Sequence, residues 1–140
     1  EDNHRINYFD LIHTDGTNVK LNSLENPVSL IFIFEKKCAS CEKNLFFWNK
    51  MAKSKIDRLK IYGIVLGNKK EAQFTVSSTV INFPIYFPLD LKRFKHSVNI
   101  TSPMSQTILV KGRKIVYYKK GYLDAHDYFE ISALIKQGGK

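Results

Sequence analysis

The stretch VSLIFIFEKKCASC, residues 28–41, decides the fold of this chain. Its first part, Val28–Phe34, is apolar except for Ser29, which is the pattern of a β-strand covered on both faces. Its last four residues hold the only two cysteines of the sequence, Cys38 and Cys41, at the start of a helix-like segment. A C-x-x-C pair at such a junction can close a disulfide, and a thiol near a helix N-terminus can be stabilised as a thiolate. The stretch therefore predicts thiol-disulfide exchange.

The segments around this junction predict an α/β order. From Cys41 the apolar residues recur at helical spacings until the charged stretch Lys53–Arg58, where the helix should end. Strand, helix and strand in succession imply a parallel pair with a right-handed crossover. Because two prolines cannot both lie in a paired central strand, Asn82–Pro88 is predicted at a sheet edge. The other predicted elements are a hairpin over Tyr8–Leu21 turning at Asp15-Gly16, a strand Leu59–Gly67, helices over Lys70–Val80, Asp90–Val98 and Ala125–Ile135, and a hairpin of Thr107–Val110 with Lys114–Tyr118.

Length and composition favour one domain over residues 1–140, with the N-terminal hairpin at 8–21 and a flexible tail at 137–140. No apolar run approaches the roughly 18 residues of a membrane-spanning helix. The chain begins with Glu1 rather than Met, which suggests that a leader, an anchor or other upstream sequence was removed.

The formal net charge of +9 raises the question of nucleic-acid or lipid partners. The lysines, however, occur as scattered pairs, arginine is scarce, and aromatic and basic residues are not interleaved as in an RNA-recognition motif. The charge therefore predicts a solvated, lysine-rich surface and no nucleic-acid binding.

The order of elements resembles the thioredoxin fold in its TlpA/ResA-like form, within the wider AhpC/TSA group, over nearly the whole chain. The predicted fold class is thus α/β and thioredoxin-like, a central mixed sheet flanked by helices with an N-terminal β-hairpin extension. The matching motifs are Asp15-Gly16 to Leu24, Cys38–Cys41, Phe83-Pro84-Ile85, Thr107–Val110 with Gly112, and Gly121 before the last helix.

The resemblance implies a thiol-disulfide oxidoreductase without a bound cofactor or metal, in which Cys38 is the nucleophile and Cys41 the resolving thiol. Pro103 and Met104 correspond to the loop that faces the cysteines and binds substrate, with Pro103 as the candidate cis-proline. The implied partners are protein thiols or disulfides and a redox-recycling protein. Family habit also implies a monomer in an extracytoplasmic compartment, either periplasmic, membrane-anchored or exported.

Three positions differ from the family pattern. Lys37 replaces the aromatic residue usual before the first cysteine, Phe32 stands where thioredoxin has a buried aspartate, and Asn44 stands where ResA-like proteins have a glutamate. Both of the family's proton-transfer carboxylates are therefore missing. Glu35 and Glu42 are the candidates to replace them, and the alternative is that each is a solvated surface charge.

Three other functional classes compete with exchange. A peroxiredoxin-type peroxidase is disfavoured because Ile31 and Glu35 occupy positions where its peroxide pocket needs Pro and Thr or Ser. A copper(I) or zinc carrier needs a third ligand, and only folding could bring His96 to the cysteines, since the histidines at 4, 13, 96 and 126 lack ligand spacing. A non-catalytic interaction module would use the pair as a structural disulfide. The aromatic run Phe46-Phe47-Trp48 favours core packing over docking.

Overall fold

The structure is a computed structural model, and it describes residues 9–21, 28–35, 39–54, 56, 59–97, 105–112 and 114–138. This part of the chain forms seven strands and four helices. The strands are β1 Phe9–His13, β2 Asn18–Leu21, β3 Val28–Phe34, β4 Leu59–Val65, β5 Ile85–Pro88, β6 Gln106–Lys111 and β7 Lys114–Lys120, and the helices are α1 Ala39–Ala52, α2 Lys69–Ser78, α3 Leu91–Ser97 and α4 Ala125–Gly138.

The seven strands form one mixed sheet in the order β2-β1-β5-β4-β3-β6-β7. β3 lies inside this sheet, parallel to β4 on one side and antiparallel to β6 on the other. All seven residues of β3 are buried, as its apolar composition predicts. Alternate residues of the strand serve the two faces of the sheet, because successive side chains point to opposite sides. Val28, Leu30, Phe32 and Phe34 join one core, whereas Ile31 and Ile33 join the other.

The helices divide between these two cores. Trp48 and Met51 of α1, Ala72 of α2, and Ile131 and Ile135 of α4 pack in the first core. Phe94 of α3 packs in the second core, on the opposite face of the sheet. The predicted parallel pairing of β3 and β4, connected by α1, is present. None of the helices in the described part of the chain is both long and apolar enough to span a membrane.

The predicted edge position of Asn82–Pro88 is wrong. β5 lies inside the sheet, because the N-terminal hairpin adds β1 to its outer side while β4 pairs with its inner side. Pro84 precedes the strand and contributes only its carbonyl, which accepts a hydrogen bond from the backbone N–H of Gly63. Pro88 is the last residue, beyond the two that pair with β4. The missing N–H groups therefore cost no ladder hydrogen bonds.

Two further predictions differ from the structure at the helices. Phe46 is exposed, whereas Trp48, two residues further along α1, is fully buried, because each helical residue turns by about 100° and the two side chains therefore point about 200° apart. The C-terminal helix α4 continues through Gly138, three residues beyond its predicted end at Ile135. Residues 139 and 140 lie outside the described part of the chain.

The start of α4 is held by Asp127, a buried carboxylate. It accepts hydrogen bonds from the Tyr117 hydroxyl at 2.6 Å and from the backbone N–H of Asp124 at 3.0 Å. Lys119 lies 3.2 Å away as its ion-pair partner. Burial alone would raise the pKa of Asp127, but these hydrogen bonds and the lysine outweigh it and lower the pKa to about 2.

We expect the ionisation of Asp127 to make the free energy of unfolding depend on pH in the acidic range. Because the folded pKa of Asp127 lies below its ordinary value of 3.8, its contribution is complete above about pH 4 and is lost as the pH falls toward 2. Urea unfolding at pH 7 should show Asp127→Asn less stable by about 2 kcal/mol, and the deficit should shrink at pH 2.5. Asp10→Asn, which breaks an exposed pair with Lys20, is the control and should change stability by less than about 1 kcal/mol. A deficit for Asp127→Asn that does not change with pH would contradict this assignment.

Candidate active site

Cys41 lies in the first turn of α1, just past the end of β3. The helix begins at Ala39, and the Cys41 side chain is only 5% exposed within the core that α1 and β3 share. Its sulfur is disulfide-bonded and lies 3.9 Å from the backbone carbonyl oxygen of Ile33. In the reduced protein the thiol could donate a hydrogen bond to that oxygen. The strand and the helix together therefore fix this sulfur at the end of the sheet.

Several residues that the sequence nominates lie outside the described part of the chain. Cys38, the only other cysteine of the sequence, is one of them, as is the preceding Lys37. Pro103 and Met104 fall in the gap between residues 97 and 105, so the predicted substrate loop and its cis-proline remain predictions.

The two candidate proton-transfer residues border one cleft. Glu35 follows β3 directly and is half-buried, and Glu42 is exposed in the first turn of α1. Both line a cleft of about 470 Å³ that opens between α1 and α2 and that Cys41 also lines. We call it the α1–α2 cleft. The structure thus brings both carboxylates to the cleft that contains the described cysteine.

An aromatic stack occupies the position of the missing aspartate. Phe32 is fully buried, and its ring stacks on Trp48 with centroids 4.9 Å apart. The indole N–H of Trp48 donates a hydrogen bond of 2.9 Å to the Thr107 hydroxyl on β6. An aromatic ring therefore stands where a carboxylate could have accepted a proton.

Asn44, one turn after Cys41, connects the cysteine helix to two distant segments. Its amide nitrogen donates to the Ser105 hydroxyl and to the Gly121 carbonyl, each at 2.8 Å. Its amide oxygen accepts from the backbone N–H of Leu123, also at 2.8 Å. Ser105 is the first described residue after the gap that contains Pro103, so Asn44 attaches the residue that follows this gap to α1.

The sequence predicted no role for Asn44 beyond the replacement of a glutamate. A signal was nevertheless present, because Asn44 shares the spacing of Cys41, Trp48 and Met51, which all lie on the buried face of α1. An amide on such a face needs partners for its donors and its acceptor, since a buried polar group without them is costly. The identity of those partners could not be inferred from the spacing.

Among the residues described, no group of three histidine, cysteine, aspartate or glutamate side chains is placed to hold a metal ion. His96, the third ligand considered above, is exposed on α3. That helix packs against the sheet face opposite to the one that α1 covers.

Comparison with known proteins gives structural matches only. No protein-family model matches the chain, and no curated protein matches it. A protein from Chlorobium tepidum assigned as thiol:disulfide interchange protein DsbE superposes with a TM-score of 0.80 at 18% identity, covering 100% of this chain and 99% of that one.

The thioredoxin domain of a thiol-disulfide oxidoreductase from Bacteroides vulgatus gives a TM-score of 0.79 at 19% identity, over 94% of this chain and 95% of that one. The exposed lipoprotein thioredoxin Etrx1 of Streptococcus pneumoniae gives a TM-score of 0.74 at 18% identity, over 94% of this chain and 99% of that one. The fold is thioredoxin-like.

The sequence prediction of this fold is therefore confirmed, including the mixed sheet flanked by helices and the N-terminal hairpin. In this thioredoxin-like fold the crossover from β3 to β4 through α1 places Cys41 at the carboxyl end of parallel strands, where α/β sheets commonly bind ligands. The cleft beside Cys41 lies at that same edge.

Proposed function

We propose that this protein is a thiol-disulfide oxidoreductase that exchanges disulfides with protein substrates through Cys38 and Cys41. One observation carries the proposal: a disulfide-bonded cysteine in the first turn of α1, directly after β3, beside an open cleft. The unpaired backbone N–H groups at the start of a helix favour negative charge. Cys38 directly precedes the first residue of α1 in the sequence, so these groups would stabilise its thiolate.

The exchange has two steps in the reductive direction. The Cys38 thiolate attacks one sulfur of the substrate disulfide, and the other substrate sulfur leaves as a thiolate. Cys41 then loses its proton and attacks the Cys38 sulfur, which releases the second substrate thiolate and leaves the Cys38–Cys41 disulfide. Two electrons have passed to the substrate, and the same steps in reverse oxidise a dithiol.

The surrounding groups would supply the proton acceptor and the docking surface. Glu35 and Glu42 border the cleft that Cys41 lines, which supports either one as the group that takes the Cys41 proton. Pro103 and Met104 are proposed as the loop opposite the cysteines, and the hydrogen bond from Asn44 to the adjoining Ser105 supports that placement.

We further propose that residues 1–140 form one domain that acts as a monomer outside the cytoplasm, with a recycling redox partner. Attachment to a membrane is part of this proposal. The lipoprotein thioredoxin of similar fold supports the location.

A redox titration tests the proposed function. The wild-type protein is equilibrated with mixtures of reduced and oxidised glutathione, and the Cys38–Cys41 couple is followed by thiol alkylation. We expect a reversible two-electron transition between about −300 and −100 mV, whose position distinguishes a reductant from an oxidant. A potential below this range would instead indicate a structural disulfide in an interaction module. Failure to form the disulfide at any mixture would also contradict the proposal.

A further inference from the structure

The lining and the volume of the α1–α2 cleft are those of a ligand-binding cleft. The ends of β3 and β4 form its floor through Phe34, Val65 and Leu66, and α1 contributes Leu45 to one wall. Its volume of about 470 Å³ falls within the range of about 300–1,000 Å³ usual for ligand-binding clefts. Because Cys41 lines the same cleft, anything bound there would lie beside the disulfide.

Phe74 stands at the rim of this cleft with its ring 69% exposed. Ala72 is the residue of α2 that packs into the core, and Phe74 points about 200° around the helix from it. The ring is therefore not needed for the internal packing of α2. Its exposed apolar area would be removed from water if an apolar side chain entered the cleft, and such burial favours binding.

The net charge of the cleft lining is opposite in sign to the net charge of the whole chain. Its described lining includes three carboxylates, Glu35, Glu42 and Glu71, and a single ammonium group, Lys70. The whole sequence carries a formal net charge of +9. The Glu71 carboxylate is held in place because it accepts a hydrogen bond of 2.8 Å from the backbone N–H of Asn68. A negative rim around an apolar floor selects for a cationic, apolar partner.

We propose that the α1–α2 cleft binds the substrate segment that carries the reacting cysteine, and that it selects segments in which this cysteine is flanked by a large apolar residue and by a lysine or arginine. This inference rests on the proposed function, because it assigns the substrate class of the same site. The apolar side chain lies against Phe74 and Leu45, and the basic residue pairs with the carboxylates at the rim. Binding in this way brings the substrate sulfur to the cysteine pair.

Peptides test the selection directly. Four synthetic peptides of equal length each carry one cysteine as a mixed disulfide with glutathione, flanked by Leu and Lys, Gly and Lys, Leu and Glu, or Gly and Glu. We expect the reduced protein to react with the Leu-Lys peptide about tenfold faster than with the Gly-Glu peptide. Raising the salt concentration should narrow the advantage of Lys over Glu, since exposed charges are screened. Equal rates for all four peptides would overturn the proposal.

A matched pair of variants locates the effect. Phe74→Ser is expected to lower the ratio of the Leu-Lys peptide rate to the oxidised glutathione rate about tenfold. Phe46→Ser removes a ring of nearly equal exposure, 67% against 69%, that does not line the cleft, and should keep the ratio within about twofold. An unchanged ratio in Phe74→Ser would place the substrate elsewhere. Exchange with glutathione itself would then still support the proposed function.

A binding measurement separates docking from chemistry. A fluorescently labelled Leu-Lys peptide with serine in place of cysteine cannot exchange, so its Kd reports docking alone. We expect the Kd to rise about tenfold in Phe74→Ser and to stay within about twofold in Phe46→Ser. Equal Kd values for the two variants would overturn the docking site, whatever the redox titration shows. Normal docking without any exchange would instead refute the proposed function.

Discussion

Exchange with a protein disulfide is expected to fall at least about a thousandfold when Cys38 is replaced by serine. The thiolate is the attacking nucleophile, and a serine hydroxyl stays protonated near neutral pH and forms no disulfide. The measurement is turnover of a protein disulfide driven by dithiothreitol, at equal concentrations of wild-type and variant protein. Turnover within about threefold of wild type would show that Cys38 is not the nucleophile.

Cys41→Ser is the companion of this variant. It retains the nucleophile and lacks the resolving thiol, so the mixed disulfide between Cys38 and the substrate should accumulate. Mass spectrometry of the non-reduced protein would detect it. If the mixed disulfide forms in Cys38→Ser and not in Cys41→Ser, the two roles are reversed, and Cys41, which is only 5% exposed, is the attacking group.

Replacing Asn44 by alanine is expected to cost about 2–4 kcal/mol of unfolding free energy. The change removes three hydrogen bonds, those to the Ser105 hydroxyl, the Gly121 carbonyl and the Leu123 N–H. Asn44 is fully buried, and burying a polar group without its partner costs about 1–3 kcal/mol for each group. The Gly121 carbonyl keeps a longer bond of 3.3 Å from Ser105, which limits the loss at that position. Urea unfolding followed by Trp48 fluorescence measures the change.

Asn44→Asp is the isosteric control. Its carboxyl can still accept from the Leu123 N–H, but when ionised it opposes the carbonyl oxygen of Gly121. Burial favours the neutral acid and so raises the folded pKa of the new carboxyl above about 4. The deficit relative to wild type should therefore be small near pH 4 and grow as the pH rises to 7. Asn49→Ala, on the same helix but in an exposed contact with Val80 and Asn82, should cost less than Asn44→Ala. Equal losses of unfolding free energy in Asn44→Ala and Asn49→Ala would show that burial does not determine the size of the loss.

The elements that could be predicted from sequence are those with a local cause. The unbroken apolar run of β3 requires cover on both faces, and the Asp15-Gly16 turn joins β1 to β2 with Gly16 at φ 97°. The apolar spacing after Cys41 predicted a helix, and α1 ends at Ala52, directly before the charged stretch. The placement of Cys41 at the strand-to-helix junction follows from these local signals.

The errors came from contacts that no local pattern encodes. Asn82–Pro88 has the composition of an edge segment, and β5 is an inner strand only because β1, more than 70 residues earlier in the chain, pairs with it. The exposure of Phe46 depends on the direction that α1 takes over the sheet. The α1–α2 cleft depends on how two helices diverge above β3 and β4, and its lining brings residues 34–45 together with residues 65–79.

The sequence was sufficient for the order of strands and helices and for a hypothesis about the chemistry of the cysteine pair, because periodicity, turn residues and side-chain type are local properties. Tertiary structure decided which groups surround Cys41. Asn44 bonds to Ser105, Gly121 and Leu123, which lie 61, 77 and 79 residues away along the chain. Many residues carry donors and acceptors that could bond to the Asn44 amide. Only the packing of α1 against β6 and the start of α4 determines which of them lie within hydrogen-bonding distance of it.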